Sequence, residues 1–155
     1  MSDDELRQAV ATACRHALAV LMWTREEDIE ACMNAVFAAE QWVDAPSNEN
    51  RDKARQASEP AWAAARAADA AATGSVECLR RPDNVKTADV ATSASALAAF
   101  EAAVACAYAA SAVHDPSCSM MAVRAAKRAS FHFSCVNHAK RIAAQIRKGK
   151  PWPTP

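Results

Sequence analysis

Apolar residues recur every three or four positions along most of this 155-residue chain, which is the spacing of one buried face on an α-helix. Ser2 and Glu5 precede the first such run in the spacing of a capping box, so we predict a first helix from Ser2 to about Trp23. Its predicted buried stripe is Leu6, Val10, Ala13, Ala17, Val20 and Leu21.

A second helix is predicted to start at a repeat of the same capping spacing, formed by Thr24 and Glu27. Its first turn would carry Glu26, Glu27 and Asp28, where the helix dipole favours negative charge. Its apolar positions are Ile29, Met33, Val36, Phe37 and Val43. The polar and proline-containing segment 44–48 ends it.

A third helix is predicted from Asn48 onward. Pro60 lies inside its pattern and predicts a kink, or a short helix that begins again at Ser58. Gly74 stands where a C-terminal cap would end the helix. Residues 75–86 would then form the longest loop, with room for a short turn over 76–79.

Two further helices are predicted, from Thr87 to about Val113 and from about Pro116 to Lys148. Between them Asp115 can cap the last helix, and Pro116 fits its first turn. No segment has the alternating pattern of a strand. The sequence therefore predicts an all-α fold: a single-domain antiparallel bundle of about five helices over residues 1–148, with 149–155 as a flexible C-terminal tail.

Composition strengthens this prediction, because alanine supplies about a quarter of the chain while glycine occurs only twice. Alanine is the best helix former, and glycine is the residue that phosphate-binding loops and sharp nucleophile turns require. Alanine buries little area, so we expect the large side chains to anchor a thin core. The candidate anchors are Trp23, Trp42, Trp62, Phe37, Phe100, Tyr108, Phe131 and Phe133.

Charge is balanced overall but unevenly placed. Residues 1–50 carry a net charge of −7, residues 51–115 carry −1, and residues 116–155 carry +8. Two interpretations of this distribution are open. In the first, the acidic first helices pack beside the basic last helix and neutralise it. In the second, one charged end of the molecule docks a charged partner.

Location and cysteine state are predicted from the same sequence. The start, Met-Ser-Asp-Asp-Glu, lacks a cationic region followed by an apolar stretch, so no signal peptide is expected. The least charged span, 90–113, is interrupted by Glu101 and is too weakly apolar to predict a membrane helix. We expect a cytoplasmic protein with free thiols at its six cysteines, Cys14, Cys32, Cys78, Cys106, Cys118 and Cys135.

Candidate chemistry is sparse. His132, Cys135 and His138 follow one another at three-residue steps, but three such positions span too much of a helix to share one ion. No paired Cys-x-x-Cys or Glu-x-x-His completes a site. We therefore predict no metal, no cofactor and no enzymatic activity.

Nucleic acid is disfavoured as a partner, because the domain is neutral overall and contains no recognised nucleic-acid motif. The cations that such binding would use are Arg124, Lys127, Arg128, Lys140, Arg141, Arg147 and Lys148. A solvated or internally paired face is the alternative interpretation of these residues.

Protein binding requires the least special chemistry. The acidic cluster Glu26, Glu27, Asp28 and Glu30 is our candidate partner-binding site, since it could steer a basic protein. The alternative is that these residues serve helix capping and solubility. The oligomeric state stays open.

Two stretches resemble a known family. The first is Ala38-Ala-Glu-Gln-Trp42-Val-Asp44, followed by Arg51-Asp-Lys-Ala-Arg55 and Ala61-Trp-Ala-Ala-Ala-Arg66-Ala-Ala. The second is Ala105-Cys-Ala-Tyr-Ala-Ala-Ser-Ala-Val-His-Asp-Pro with Ala122-Val-Arg-Ala-Ala-Lys-Arg-Ala. Together they cover about half of the chain and resemble the helix pairs of alanine-rich immunity proteins from bacterial polymorphic toxin systems.

The resemblance implies a rigid helical inhibitor that covers the active cleft of a cognate toxin; it assigns no individual functional residue. The charge of −7 over the first fifty residues suggests that such a toxin would be basic. The alternative function is a helical scaffold or a self-associating structural protein with no toxin partner.

Overall fold

The computed structural model describes residues 1–79 and 87–148, and this part of the chain folds into five α-helices without a β-strand. The all-α prediction is confirmed. Two 3₁₀ turns, Leu21–Trp23 and Glu26–Asp28, lie between the first two helices. The helices are α1, Asp3–Val20; α2, Ile29–Asp44; α3, Asn48–Leu79; α4, Thr87–Ser111; and α5, Ser117–Arg147. The predicted tail, 149–155, lies outside the described residues.

The capping box at the start of α1 is present as predicted. The Ser2 hydroxyl accepts from the amide of Glu5 over 3.2 Å, and the Glu5 carboxylate accepts from the amide of Ser2 over 2.6 Å. Each interaction satisfies an amide that the helix itself leaves without an acceptor. The sequence signature therefore located this helix start to within one residue.

The second predicted cap is wrong. Thr24 ends the first 3₁₀ turn, and its hydroxyl donates to the carbonyl of Leu21 over 2.7 Å instead of accepting from Glu27. Residues 26–28 form a separate 3₁₀ turn, so α2 begins only at Ile29. A threonine hydroxyl can bond backward as well as forward along the chain, and here the backward bond wins.

The third helix is longer and more continuous than predicted. Ser47 caps it by accepting from the amide of Asn50 over 3.1 Å. It runs without interruption through Pro60 and past Gly74 to Leu79, so the restart at Ser58 and the end at Gly74 are both wrong. Gly74 is exposed inside the helix, where glycine costs stability without preventing helix formation. Of the predicted loop, 75–79 is helical and 80–86 lies outside the described residues.

The break between α4 and α5 is as predicted. The Asp115 carboxylate accepts from the amide of Ser117 over 3.0 Å and from its hydroxyl over 2.7 Å. These bonds hold the pKa of Asp115 below its ordinary value, since they stabilise the ionised carboxylate.

Two pairs of consecutive helices, α1 with α2 and α3 with α4, run antiparallel. Arg7 contacts Val43 and Cys14 contacts Val36, which fixes opposite directions for α1 and α2. The same opposition holds for α3 and α4, where Trp62 donates to Ser111 and Ser93 donates to the carbonyl of Ser75.

α4 is the central helix, because it packs against all four of the others. Each residue from Glu101 to Ala107 is buried, so no side of its C-terminal half faces water. Such burial on all sides requires small side chains, which let neighbouring backbones approach closely. The prediction that this region is too weakly apolar for a membrane helix is wrong by length and composition, since Val90–Ser111 is long and apolar enough to cross a membrane. In the fold, 61% of its most apolar stretch is buried.

Most of the predicted aromatic anchors surround the core and do not fill it. Trp42 is buried, at 3% exposure, and Trp23, Trp62, Phe100, Tyr108 and Phe133 are half-buried. Phe37 and Phe131 are 45% and 64% exposed, so the prediction that they anchor the core is wrong. The largest fully buried side chains are Val10, Val20, Val36, Val113, Cys14, Cys32 and Cys106.

Candidate partner-binding surfaces

The predicted acidic site divides into exposed and buried members. Glu26, Glu27 and Glu30 are exposed, and we call these three residues the acidic surface. Asp28 is not part of it, because that residue is only 7% exposed. The inclusion of Asp28 in the candidate site is therefore corrected.

Asp28 has a structural partner in Arg25. The Nε atom of Arg25 donates to Oδ2 of Asp28 over 2.6 Å, and its Nη1 lies 3.3 Å from Oε1 of Glu27. The bond to Asp28 is the main reason that the pKa of Arg25 rises above its ordinary value. This arginine bridges Glu27 and Asp28 across the 3₁₀ turn, while Glu26 and Glu30 form no ion pair among the described residues.

The exposed face of α2 extends the acidic surface. Glu30, Asn34, Phe37 and Gln41 recur at three- and four-residue steps and are all exposed. Phe37 thus lies in a polar row and not in the buried stripe formed by Val36 and its neighbours. In the sequence, Phe37 stands between the polar residues Asn34 and Gln41 at helical spacing. This pattern could have predicted that Phe37 lies on the exposed face.

A second exposed row lies on α5. Met120, Arg124, Lys127 and Phe131 follow at steps of four, three and four residues, and we call them the basic stripe. Met120 is 59% and Phe131 is 64% exposed. The helix Ser117–Arg147 contains no carboxylate that could pair with these cations along its own length. Cations around exposed apolar groups give this face the composition of a protein-docking surface.

None of the described ion pairs involves a residue of the basic stripe. α1 contacts α5, yet among the described side chains no carboxylate of α1 forms an ion pair with a cation of α5. The ion pair that α5 does form joins Nε of Arg128 to Oε1 of Glu101 over 2.7 Å. The first helix does pack beside the last helix as expected, but no ion pair joins their described side chains, so neutralisation by direct pairing is not found there.

Three cysteines from different helices lie in the core: Cys14 of α1, Cys32 of α2 and Cys106 of α4 are all fully buried thiols. Burial is the main cause that raises the pKa of Cys14 to about 12. A hydrogen bond with Cys32, followed by burial, raises the pKa of Cys106 well above its ordinary value. The thiols of Cys14 and Cys106 therefore stay protonated near neutral pH, which makes them poor nucleophiles.

The histidines and the remaining described cysteines also lack the geometry of a metal site. Cys118 and Cys135 are half-buried free thiols, and His138 is exposed. Within residues 1–79 and 87–148, no three His, Cys, Asp or Glu side chains lie close enough to hold a metal ion. The side chain of Cys78 is outside the described part.

The chain matches no protein-family model, no curated protein and no solved structure.

Proposed function

We propose that this protein is a non-enzymatic helical binding domain of the cytoplasm, and that it acts as an immunity protein for a bacterial toxin. The acidic surface would dock a basic domain of the toxin and cover its active cleft. The observation that carries this proposal is the exposed acidic surface at the start of α2, with the exposed Phe37 two turns further along the same helix. The raised pKa values of the buried thiols Cys14 and Cys106 are consistent with a role that involves no catalysis.

Electrostatics and packing would contribute in different ways. Exposed carboxylates steer a basic partner during approach, and this effect weakens as salt increases. Phe37 offers apolar area near the charged turn, which is the arrangement of a partly apolar interface with a polar rim. The bond between Arg25 and Asp28 would keep the turn in one conformation, so little ordering is needed on binding.

Co-expression tests the proposal. Each toxin gene neighbouring this one is expressed with the wild-type protein or with Glu26→Lys/Glu27→Lys/Glu30→Lys, and bacterial growth is measured. We expect the wild type to restore growth and the triple variant to lose that protection. Asp28 is left unchanged because its loss would expose an unpaired Arg25 and disturb the turn.

The matched control is Asp52→Lys/Glu59→Lys/Asp69→Lys, which makes the same charge change at exposed positions of α3. We expect this control to protect as well as the wild type, with equal helicity by circular dichroism. Protection by the acidic-surface triple variant would remove the acidic surface from the proposal. Failure of the wild type against every neighbouring toxin would contradict the immunity role itself.

Self-association is a second candidate function, favoured by one observation. The acidic surface with Phe37 and the basic stripe with Phe131 are complementary in charge, exposed and unpaired with each other in the described chain. One copy could therefore place its acidic surface on the basic stripe of another. Such a head-to-tail contact produces rings or chains instead of a simple two-fold dimer.

A charge-exchange experiment tests this candidate. Glu26→Lys/Glu30→Lys and Arg124→Glu/Lys127→Glu should each be monomeric in light scattering, because each variant repels its own copies. A mixture of the two should associate, since each offers the complement of the other. A wild type that is monomeric at high concentration and low salt would exclude self-association through these faces.

A further inference from the structure

Three of the four residues of the basic stripe begin a longer exposed row on α5. The row continues at alternating steps of three and four residues, and all of its members are exposed: Arg124, Lys127, Phe131, Ser134, His138, Arg141, Gln145 and Lys148. We call these eight residues the α5 face. At a rise of about 1.5 Å per residue, they cover about 36 Å along the helix axis. Steps of three and four keep side chains on one side of a helix, so the row is one continuous surface.

The α5 face lies on the side of the helix that points away from the bundle. α5 packs mainly against α4 and α1. Lys127 and Phe131 each follow a fully buried alanine, Ala125 and Ala129, by two residues. Two residues correspond to about 200° around a helix, so the two exposed side chains point away from that buried side. The helix that carries Glu30 of the acidic surface, α2, packs mainly against α1, α3 and α4 instead.

The positive charge of the α5 face is uncompensated. Its arginines and lysines form no ion pair among the described residues, and α5 contains no carboxylate. Two carboxylates of neighbouring helices reach α5 at other places. Glu101 is bonded to Arg128, and Glu5 lines a surface cleft together with Met120, one turn before the α5 face begins. The four cations Arg124, Lys127, Arg141 and Lys148 therefore stay accessible.

Overall neutrality does not cancel this local charge. On the sequence alone, nucleic acid is disfavoured as a partner partly because the domain is neutral. At physiological ionic strength, exposed charges more than about 8 Å apart are largely screened from each other. A polyanion on α5 therefore interacts with the four cations beside it more strongly than with carboxylates elsewhere on the surface.

The uncharged members of the α5 face identify the kind of polyanion. Ser134, His138 and Gln145 carry hydrogen-bonding groups of the kind that contact phosphate and sugar oxygens. Phe131 is 64% exposed and is the one large apolar residue of the α5 face. A helix that lies in a lipid surface needs a broad apolar side, which this row lacks. Cations combined with an exposed aromatic ring are typical of surfaces that bind single-stranded nucleic acid.

We propose that the α5 face binds single-stranded nucleic acid, with its cations on the phosphates and the ring of Phe131 stacked on an unpaired base. Lys127 lies one turn before this ring and His138 lies two turns after it, so phosphates on both sides of the stacked base meet a polar or positive group. The bases of a duplex are already paired and stacked, which makes them inaccessible to such a ring. RNA and DNA share this chemistry. The proposal does not rest on the toxin-binding function.

The first test compares two probes that carry the same phosphates. Fluorescence polarisation of the intact protein is measured with a uridylate RNA of about twelve nucleotides and with an abasic oligomer of equal length. We expect saturable RNA binding at low salt. Abasic binding should be at least about fivefold weaker, because that oligomer offers no base for stacking. Equal affinity for both probes, or the absence of RNA binding, would overturn the proposal.

Substitutions of Phe131 test the stacking contact. Phe131→Leu keeps an apolar side chain without the ring, so it should weaken RNA binding at least about fivefold and leave abasic binding unchanged. Phe131→Tyr should keep the preference for RNA. Phe37→Leu is the matched control at an exposed phenylalanine of α2, and it should bind RNA as the wild type does. Equal RNA affinities of the two leucine variants would contradict the proposal. Circular dichroism verifies that all three variants are folded.

Salt dependence tests the cations. Binding that neutralises four phosphates of a single strand should give a slope of about −3 for log affinity against log salt concentration. Arg124→Gln/Arg141→Gln should make this slope shallower by about 1.4. Arg55→Gln/Arg66→Gln removes two exposed cations of α3 and should leave the slope unchanged. Equal slopes of the two double variants would contradict the phosphate contacts of the α5 face.

Further probes separate the possible occupants of the α5 face. Equal affinity for a deoxyuridylate oligomer supports both RNA and DNA as ligands, and weaker binding of that oligomer supports RNA. Duplex binding as tight as single-strand binding contradicts the proposal. So does binding to phosphatidylserine vesicles, or self-association in light scattering, by a protein that does not bind RNA. The toxin-protection experiment is independent of these results, because none of its variants lies on α5.

Discussion

The indole of Trp23 stacks on the ring of Phe133, with ring centroids 4.5 Å apart and an angle of 13° between the planes. This contact joins the turn after α1 to the middle of α5. It also lies just before the segment that carries the acidic surface. The stack therefore ties the position of that surface to the helix that bears the basic stripe.

A double-mutant cycle should detect this stack. We expect Trp23→Leu and Phe133→Leu to be coupled by about 0.5–1.5 kcal/mol in the free energy of unfolding, the range found for aromatic pairs. Urea denaturation of the two single variants and the double variant measures the coupling. The cycle of Trp23→Leu with Phe131→Leu is the control, since Phe131 is exposed, and it should show no coupling. Additive effects in the first cycle would contradict the stack.

The pair formed by Arg128 and Glu101 should matter for stability. Glu101 is 8% exposed, and its second carboxylate oxygen is buried without a hydrogen-bond partner. Removing Arg128 leaves a buried carboxylate unpaired, so we expect Arg128→Ala to lower the free energy of unfolding by about 1–3 kcal/mol. Arg124→Ala, at an exposed position without an ion pair, should change it by less than about 0.5 kcal/mol. Equal effects of the two substitutions would show that the ion pair contributes nothing.

Gly74 should be replaceable with a gain in stability. A Cβ atom built at this position would meet nothing within 4 Å. Because glycine is less favourable than alanine inside a helix, Gly74→Ala should raise the free energy of unfolding by about 0.5–1 kcal/mol. The reverse change at a nearby exposed position, Ala70→Gly, should lower it by a similar amount. A loss of stability in Gly74→Ala would argue against a continuous α3.

Alkaline pH should destabilise the fold through Cys14. Its pKa is about 12 in the folded protein, against 9.0 ordinarily, so between these values the unfolded chain loses a proton that the folded chain keeps. Stability is therefore unaffected below pH 9 and falls as pH rises above it, by about 1.4 kcal/mol at pH 10. Urea denaturation at pH 8 and pH 10 measures this loss. The loss should be smaller by that amount in Cys14→Ala, and an identical pH response in both proteins would contradict the prediction.

Predictions from the sequence were most accurate where hydrogen bonds between neighbouring residues determine the structure. The caps at Ser2 and Asp115 use short side chains bonded to nearby amides, and both are found where the sequence places them. The same reasoning failed at Thr24, because its hydroxyl can bond either the carbonyl of Leu21 or the amide of Glu27, and it bonds the former. It also failed at Gly74, because glycine permits a helix end without requiring one. Helix existence was therefore predicted better than helix boundaries.

Contacts between helices were harder to predict from the sequence. The charge of −7 over residues 1–50 and +8 over 116–155 suggested mutual pairing, but helix packing brings α1 and α5 together without joining their charges. Asp28 belonged to the acidic cluster in sequence, yet its contact with Arg25 removes it from the surface. A cleft of about 380 Å³ lined by Arg7, Trp42 and Arg51 could not be predicted, since it forms where three helices meet. No pattern within a single helix contains that information.

The central position of α4 has a consequence for how the protein is made. During synthesis the first three helices leave the ribosome before the helix that packs against all of them. Until the segment ending at Ser111 emerges, the first three helices can pack only on one another and lack the helix that contacts all of them, so we expect stable folding to wait for more than two thirds of the chain. A nascent chain stalled before that point should be digested rapidly by proteases, and one stalled after α5 has emerged should resist them.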